Sequence, residues 1–99
     1  MYAIRLTMDA VTELRALSAY YRQIIISAIE TRLTHEPTVP SRQRKCLPNL
    51  THTWDTVRPI WELRVRGYRV FYDVSDEDRI VIIRAIGHKP PEKRTEDIL

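Results

Sequence analysis

The stretch WELRVRGYRVFYDV, residues 61–74, decides how this chain folds. Apolar and polar residues alternate up to Val65, a short connection follows at Arg66-Gly67, and the alternation resumes at Tyr68. Two period-two segments joined by a Gly-containing pair predict an antiparallel β-hairpin. Val65 then faces Tyr68, Leu63 faces Val70, and Arg64 faces Arg69. Trp61, Leu63, Val65, Tyr68, Val70 and Tyr72 share one face, while Glu62, Arg64, Arg69, Phe71 and Asp73 share the other.

Working outward, Ser75-Asp76-Glu77-Asp78 reads as a second turn and residues 79–86 as a third strand. With a four-residue loop, Tyr72 faces Val81, Val70 faces Ile83, and Arg69 faces Arg84. The apolar face gains Val81, Ile83 and Ala85. The opposite face then carries Glu62, Arg64, Arg69 and Arg84, with Phe71, Ile80, Ile82, Ile86 and His88 on the same side. Arginines placed abreast on a sheet repel one another. Two compensations are open: Glu62 and Asp73 salt-link the face, or the missing negative charge comes from an anionic partner. Apolar and aromatic residues beside the row suit RNA, whose bases can stack there.

Toward the N-terminus, residues 2–7 read as a strand. Thr7 or Asp9 caps a helix through Leu17, with Ala10, Leu14 and Leu17 as its apolar stripe. Ser18 caps a second helix to about His35, with Tyr21, Ile24, Ile25, Ala28, Ile29 and Leu33 on one face and Ile26 off it. Residues 36–58 read as a long linker punctuated by Pro37, Pro40 and Pro48. It carries Arg42, Arg44 and Lys45, either a solvated basic loop or an arm that contacts phosphates. His35 and His52 read as ordinary helix-end and loop histidines. Pro90-Pro91 ends the last strand, and residues 92–98 read as a helical turn or a mobile tail. The order β-α-α-β-β-β predicts a single α+β domain, an antiparallel sheet with two N-terminal helices packed on one face.

Bulk composition agrees. The chain has 99 residues, 43% hydrophobic and 29% charged, enough for one modest core. Its 16 basic residues are 13 Arg and 3 Lys. Arginine is the better bidentate phosphate ligand, so the bias fits an anionic partner, or simply the codon usage of a GC-rich genome. A single cysteine, Cys46, forms no internal disulfide, and no His/Cys spacing suits zinc. No apolar run reaches the length of a membrane span, and the N-terminus reads as a strand, so the expected compartment is the cytoplasm.

The element order, the LRV-x-GYRVFYDV hairpin and the final strand ending in AIGHK resemble the RelE/ParE superfamily of type II toxin–antitoxin toxins. The resemblance covers nearly the whole chain and implies a RelE-like fold. RelE-type members cleave mRNA in the ribosomal A site; ParE-type members inhibit DNA gyrase and are not nucleases. Arg69 matches the arginine of the GYR motif, which steadies the scissile phosphate in RelE-type toxins, and His88 and Lys89 match the segment that supplies an acid or a charge stabiliser. The two lysines that RelE carries before its hairpin correspond here to Ile60 and Glu62, and no tyrosine follows Tyr72.

Cleavage of RNA through its own 2′-hydroxyl needs a base, a stabiliser for the pentavalent phosphate and an acid for the leaving oxygen. Related toxins use a Glu/Arg/His set, and Glu62, Arg69 and His88 match it, with Arg64, Arg84, Lys89, Arg42, Arg44 and Lys45 as further phosphate contacts. The resemblance thus implies a ribosome-dependent endoribonuclease that needs no metal or cofactor, with a gyrase inhibitor or an inactive antitoxin-binding homologue as alternatives. It also implies a cognate antitoxin, for which Phe71, Ile80, Ile82 and Ile26 are the expected docking points.

Overall fold

The structure, a computed structural model, describes residues 1–88; Lys89 and the tail 92–98 lie outside the described residues. In chain order the elements are β1 (Ala3–Leu6), α1 (Met8–Arg15), α2 (Ala19–Leu33), β2 (Arg44–Leu47), β3 (Ile60–Val65), β4 (Tyr68–Ser75) and β5 (Ile80–His88). They build one five-stranded sheet in the order β1-β5-β4-β3-β2. The α+β class with both helices on one face is as expected. The sheet is mixed, because β1 runs parallel to β5 while the other neighbours are antiparallel.

Local chemistry accounts for the helices. The Thr7 hydroxyl accepts the Ala10 N–H at the start of α1 and donates to the Arg84 carbonyl of β5. The Ser18 hydroxyl caps α2 at Tyr21. Between them Arg22 donates to the Leu14, Arg15 and Leu17 carbonyls, satisfying the orphan acceptors at the end of α1 and fixing the helical hairpin. Ala10 and Leu14 from α1 and Ile25, Ile29 and Leu33 from α2 then pack on Leu63, Val65, Val70, Tyr72, Val74, Val81, Ile83 and Ile86.

Strand β2 corrects the reading of residues 36–58 as a linker. Arg44 to Leu47 pair with Leu63 back to Ile60 on the open edge of β3. The Ser41 hydroxyl accepts the Gln43 and Arg44 N–H groups and forms the turn into the strand. The Arg44 guanidinium donates to the Val39 and Arg32 carbonyls, tying the strand to the end of α2. Proline-rich flanks hide such a strand from a local reading; the unpaired edge of β3 supplies the partner.

The β3–β4 register is the expected one, with Val65 opposite Tyr68 and Arg64 opposite Arg69. The β4–β5 register is not. The turn is Asp76–Arg79 rather than Ser75–Asp78, and Arg79 takes a left-handed φ of 55°. Ser75 therefore faces Ile80, Val74 faces Val81 and Tyr72 faces Ile83. A bulge follows: Phe71 faces Ala85, which leaves Arg84 as the extra residue. Beyond a bulge the faces of the strand exchange. Ile86 enters the core, Ala85 leaves it, and Arg69 faces Gly87 instead of Arg84.

Two stability predictions arise here. The fully buried Tyr72 donates its hydroxyl to the Pro37 carbonyl. Burial pushes its pKa well above the ordinary phenol value, against a smaller opposing pull from Arg44. The fold thus favours the protonated phenol. That stability is complete below the unfolded value near pH 10 and is lost as pH rises through the folded value. Tyr72→Phe should cost about 1–3 kcal/mol at neutral pH by orphaning the Pro37 carbonyl. The gap between the two proteins should narrow above about pH 10 in urea titrations; a gap that stays constant to strongly alkaline pH contradicts this account.

The second concerns Arg66, which carries a left-handed φ of 55° although Gly67 stands beside it with no positive φ. A side chain in that region costs about 1–2 kcal/mol. Arg66→Gly should therefore raise the thermal midpoint, with the extra freedom of glycine in the unfolded chain limiting the gain to about 1 kcal/mol. A fall in midpoint would show that the Arg66 side chain stabilises the turn by more than its backbone strains it.

Candidate functional site

Alternation along β3 and β4 sends Glu62, Arg64, Arg69, Phe71 and Asp73 to the face away from the helices. Glu62 and Arg69 lie beneath its surface, 2% and 8% exposed. The Arg69 Nε stands 3.8 Å from Glu62 Oε1, and Lys45 Nζ reaches the same oxygen at 3.9 Å from β2. Arg69 Nη1 donates to the Arg66 and Tyr68 carbonyls, while its Nε has no hydrogen-bond partner among the described residues. Burial pulls the Arg69 pKa down and Arg64 opposite adds to that, while Glu62 raises it. The guanidinium stays charged in any case. Solvent meets mainly Arg64 and Lys45, which are exposed.

The second charge cluster centres on Asp73, which is fully buried. Its carboxylate accepts Arg84 Nε at 2.6 Å, Arg58 Nε at 2.9 Å and the Thr56 hydroxyl at 3.1 Å. The bulge directs Arg84 into this cluster, so Arg84 joins Asp73 and not the Arg64–Arg69 row. Arg44 likewise spends its guanidinium on backbone carbonyls, and Arg42 lies exposed in the turn before β2.

His88 stands elsewhere. It pairs with Tyr68, on the helix side of the sheet, and its ring meets the Tyr68 ring edge-on at 5.1 Å. Of the three residues expected to act together, Glu62 and Arg69 are adjacent and His88 is on the opposite face. The bulge at Arg84 is the cause, since without it His88 would emerge beside Arg69.

The loop after β2 brings other groups to the outer face. His52 and Trp54 stack at 5.2 Å and 25°, and Trp54 leans on Phe71 at 6.2 Å. Phe71 is thereby fully buried, which removes it as an exposed docking point; Ile26, Ile80 and Ile82 are half-buried. Between this loop and β4–β5 lies a cleft of about 570 Å³, with Phe71, Ala85 and Gly87 along the sheet, His52 and Trp54 from the loop, and Glu13 of α1 at one end. The His52 Nδ1 accepts the Trp54 N–H, and Glu13 accepts the Ile86 N–H. Reading His52 as an ordinary loop histidine missed this placement. The available signal was an apolar Phe71 among the charged outward residues of β3 and β4, which needs a cover.

The sheet with its helical hairpin is the fold of the RelE toxins. It is similar to the RelBE2 toxin–antitoxin complex of Mycobacterium tuberculosis (TM-score 0.69, 24% identity, 89% of this chain and 98% of that one). It is also similar to the RelE–RelB complex of Pyrococcus horikoshii (TM-score 0.69, 20% identity, 94% and 98%) and to the isolated RelE toxin of E. coli (TM-score 0.65, 21% identity, 98% and 90%). At these identities the likeness is one of fold. The family model for the ParE toxin of the type II toxin–antitoxin system, parDE, matches residues 4–89, and the chain belongs to that family within the RelE/ParE superfamily. No curated protein matches. Among the described residues no helix is long and apolar enough to cross a membrane.

Proposed function

We propose that this toxin acts in the cytoplasm by binding its target, DNA gyrase, rather than by cutting RNA, and that a cognate antitoxin holds it inactive. The observation that carries the reading is the separation of His88 from Glu62 and Arg69. A base, a phosphate stabiliser and an acid must all come within hydrogen-bond reach of one phosphodiester, and groups on opposite faces of a sheet do not. Glu62, moreover, is buried against Arg69, so it would have to leave an ion pair to take a proton. Family membership supports the gyrase target, since ParE-type toxins are gyrase inhibitors. The antitoxin is supported by the M. tuberculosis and P. horikoshii relatives, which are toxin–antitoxin complexes.

One observation favours the earlier expectation of a ribosome-dependent endoribonuclease. His52 lies over the outer face beside Phe71, two residues along β4 from Arg69. In that reading the leaving oxygen takes its proton from His52, not His88, while Arg64 and Lys45 hold phosphates. One pair of assays separates the two. Purified protein should block gyrase supercoiling and leave mRNA intact in a translation reaction mapped by primer extension. Ribosome-dependent cuts with normal supercoiling would replace the binding reading, and His52→Ala against His88→Ala would then identify the histidine.

A further inference from the structure

Four aromatic rings form a continuous strip on the helix side, away from the Glu62–Arg69 pair. Tyr20 meets Tyr21 at 5.2 Å and 77°, Tyr21 meets Tyr68 at 5.4 Å, and Tyr68 meets His88 at 5.1 Å and 73°. Tyr20 is 62% exposed and Tyr21 39%, and His88 is exposed at the other end. Arg66 Nη1 donates to the Tyr20 hydroxyl at 3.5 Å, at the long limit of a hydrogen bond. A Cβ on Gly67 would stand 3.1 Å from His88 Nε2, so the missing side chain leaves room for the imidazole. Tyr68 packs against the margin of the core, Tyr20, Tyr21 and His88 stand outside it, and three different elements contribute the rings.

Among the described residues the charge in the segments that carry the strip is mainly positive. Residues 15–23 and 64–70, which carry three of the four rings, contain five arginines and no carboxylate. Arg22 is committed to the end of α1 and Arg69 to Glu62, which leaves Arg15, Arg64 and Arg66 exposed, Arg64 toward the outer face. The carboxylate of Glu13, which reaches β5 two residues before His88, is engaged by the Ile86 N–H.

We propose that this strip is a docking surface for an acidic polypeptide segment with apolar or aromatic anchor side chains. Tyrosine and arginine are the residues that concentrate binding energy at protein interfaces, and rings already held by one another lose little freedom on binding. The exposed cations ask for carboxylates on the partner. Ring geometry separates a polypeptide from a single-stranded nucleic acid. Base stacking needs open, parallel ring faces, whereas two of the three ring contacts here are edge-on, at 77° and 73°, and the middle one is tilted at 51°, so the rings stand against one another instead of presenting a row of parallel faces. The inference goes beyond the gyrase reading and holds whichever activity the toxin has.

The test is a titration of the whole chain, followed by backbone amide shifts. The probes are a synthetic amphipathic peptide with Glu on one face and Phe and Leu on the other, its Lys-for-Glu counterpart, and single-stranded oligo(dT). The acidic peptide should shift amides at residues 20, 21, 66, 68 and 88, and Tyr20→Ala and Arg66→Glu should each weaken it about tenfold. Both side chains are exposed, so the two variants should give the wild-type spectrum when free. The inference is overturned if the acidic peptide fails to bind, if its shifts centre on the cleft over Phe71, if the Lys peptide binds equally well, or if oligo(dT) takes the strip in preference.

Discussion

Asp73→Ala is expected to lower the unfolding free energy by about 3–5 kcal/mol, the cost of removing one partner from a buried ion pair. Asp73 is fully buried and Arg84, its closest partner, has only 13% of its side chain exposed. Without the carboxylate, Arg84 keeps its charge in a site that water reaches poorly. Arg58 and Thr56 also lose their acceptor, so the segment that leads into β3 loses its anchor. A domain of this size has about 5–15 kcal/mol in total, so the variant should lose a large share of its stability. Asp73→Asn keeps an acceptor and should cost less. Urea unfolding of the three proteins checks this, and an alanine variant within about 1 kcal/mol of wild type would show that the cluster is solvated after all.

The second large effect concerns Glu62 and Arg69. Glu62→Ala removes the carboxylate beside a buried guanidinium and should cost about 3 kcal/mol, the low end of the range for breaking such a pair. The low end applies because the 3.8 Å separation is not a hydrogen bond and two backbone carbonyls still accept from Arg69. Replacing both residues with methionine removes both charges together, so the double variant should recover most of that loss. The same double variant tests function. If it folds and still inhibits gyrase, the pair serves the fold; if it folds and loses inhibition, the outer face meets the target. A double variant as unstable as the sum of the single ones would mean that the two residues are held by partners other than each other.

What the sequence made legible follows from how locally each feature is determined. The β3–β4 register rests on a two-residue connection and strict alternation, and it came out residue for residue. Thr7 and Ser18 announce their helices through their own side chains. The β4–β5 register failed because Ser-Asp-Glu-Asp looks like a complete turn, whereas the chain turns one residue later and uses Arg79 in a left-handed conformation that its side chain does not advertise. The bulge at Arg84 has no local signature either. Asp73 on the neighbouring strand draws the extra arginine, and that one inserted position decides which face His88 occupies. Strand β2 and the His52–Trp54 cover depend on an open edge and an uncovered Phe71 made elsewhere in the chain. The adjacency of Glu62 and Arg69 was thus readable, while the face that His88 occupies was not.

The parallel pairing of β1 with β5 has a consequence for how the toxin comes into being. Among the described residues β1, made before the other strands, has its one neighbour in β5, the strand made after them, and β5 in turn lies between β1 and β4. The β3–β4 hairpin can form early from near neighbours, but β1 and the apolar stripes of both helices have no complete sheet to cover until β5 is free of the exit tunnel. Chains released before β5 should therefore be inert, and harm is deferred until synthesis has passed His88. A protein that threatens its own maker is assembled so that its last described strand arms it.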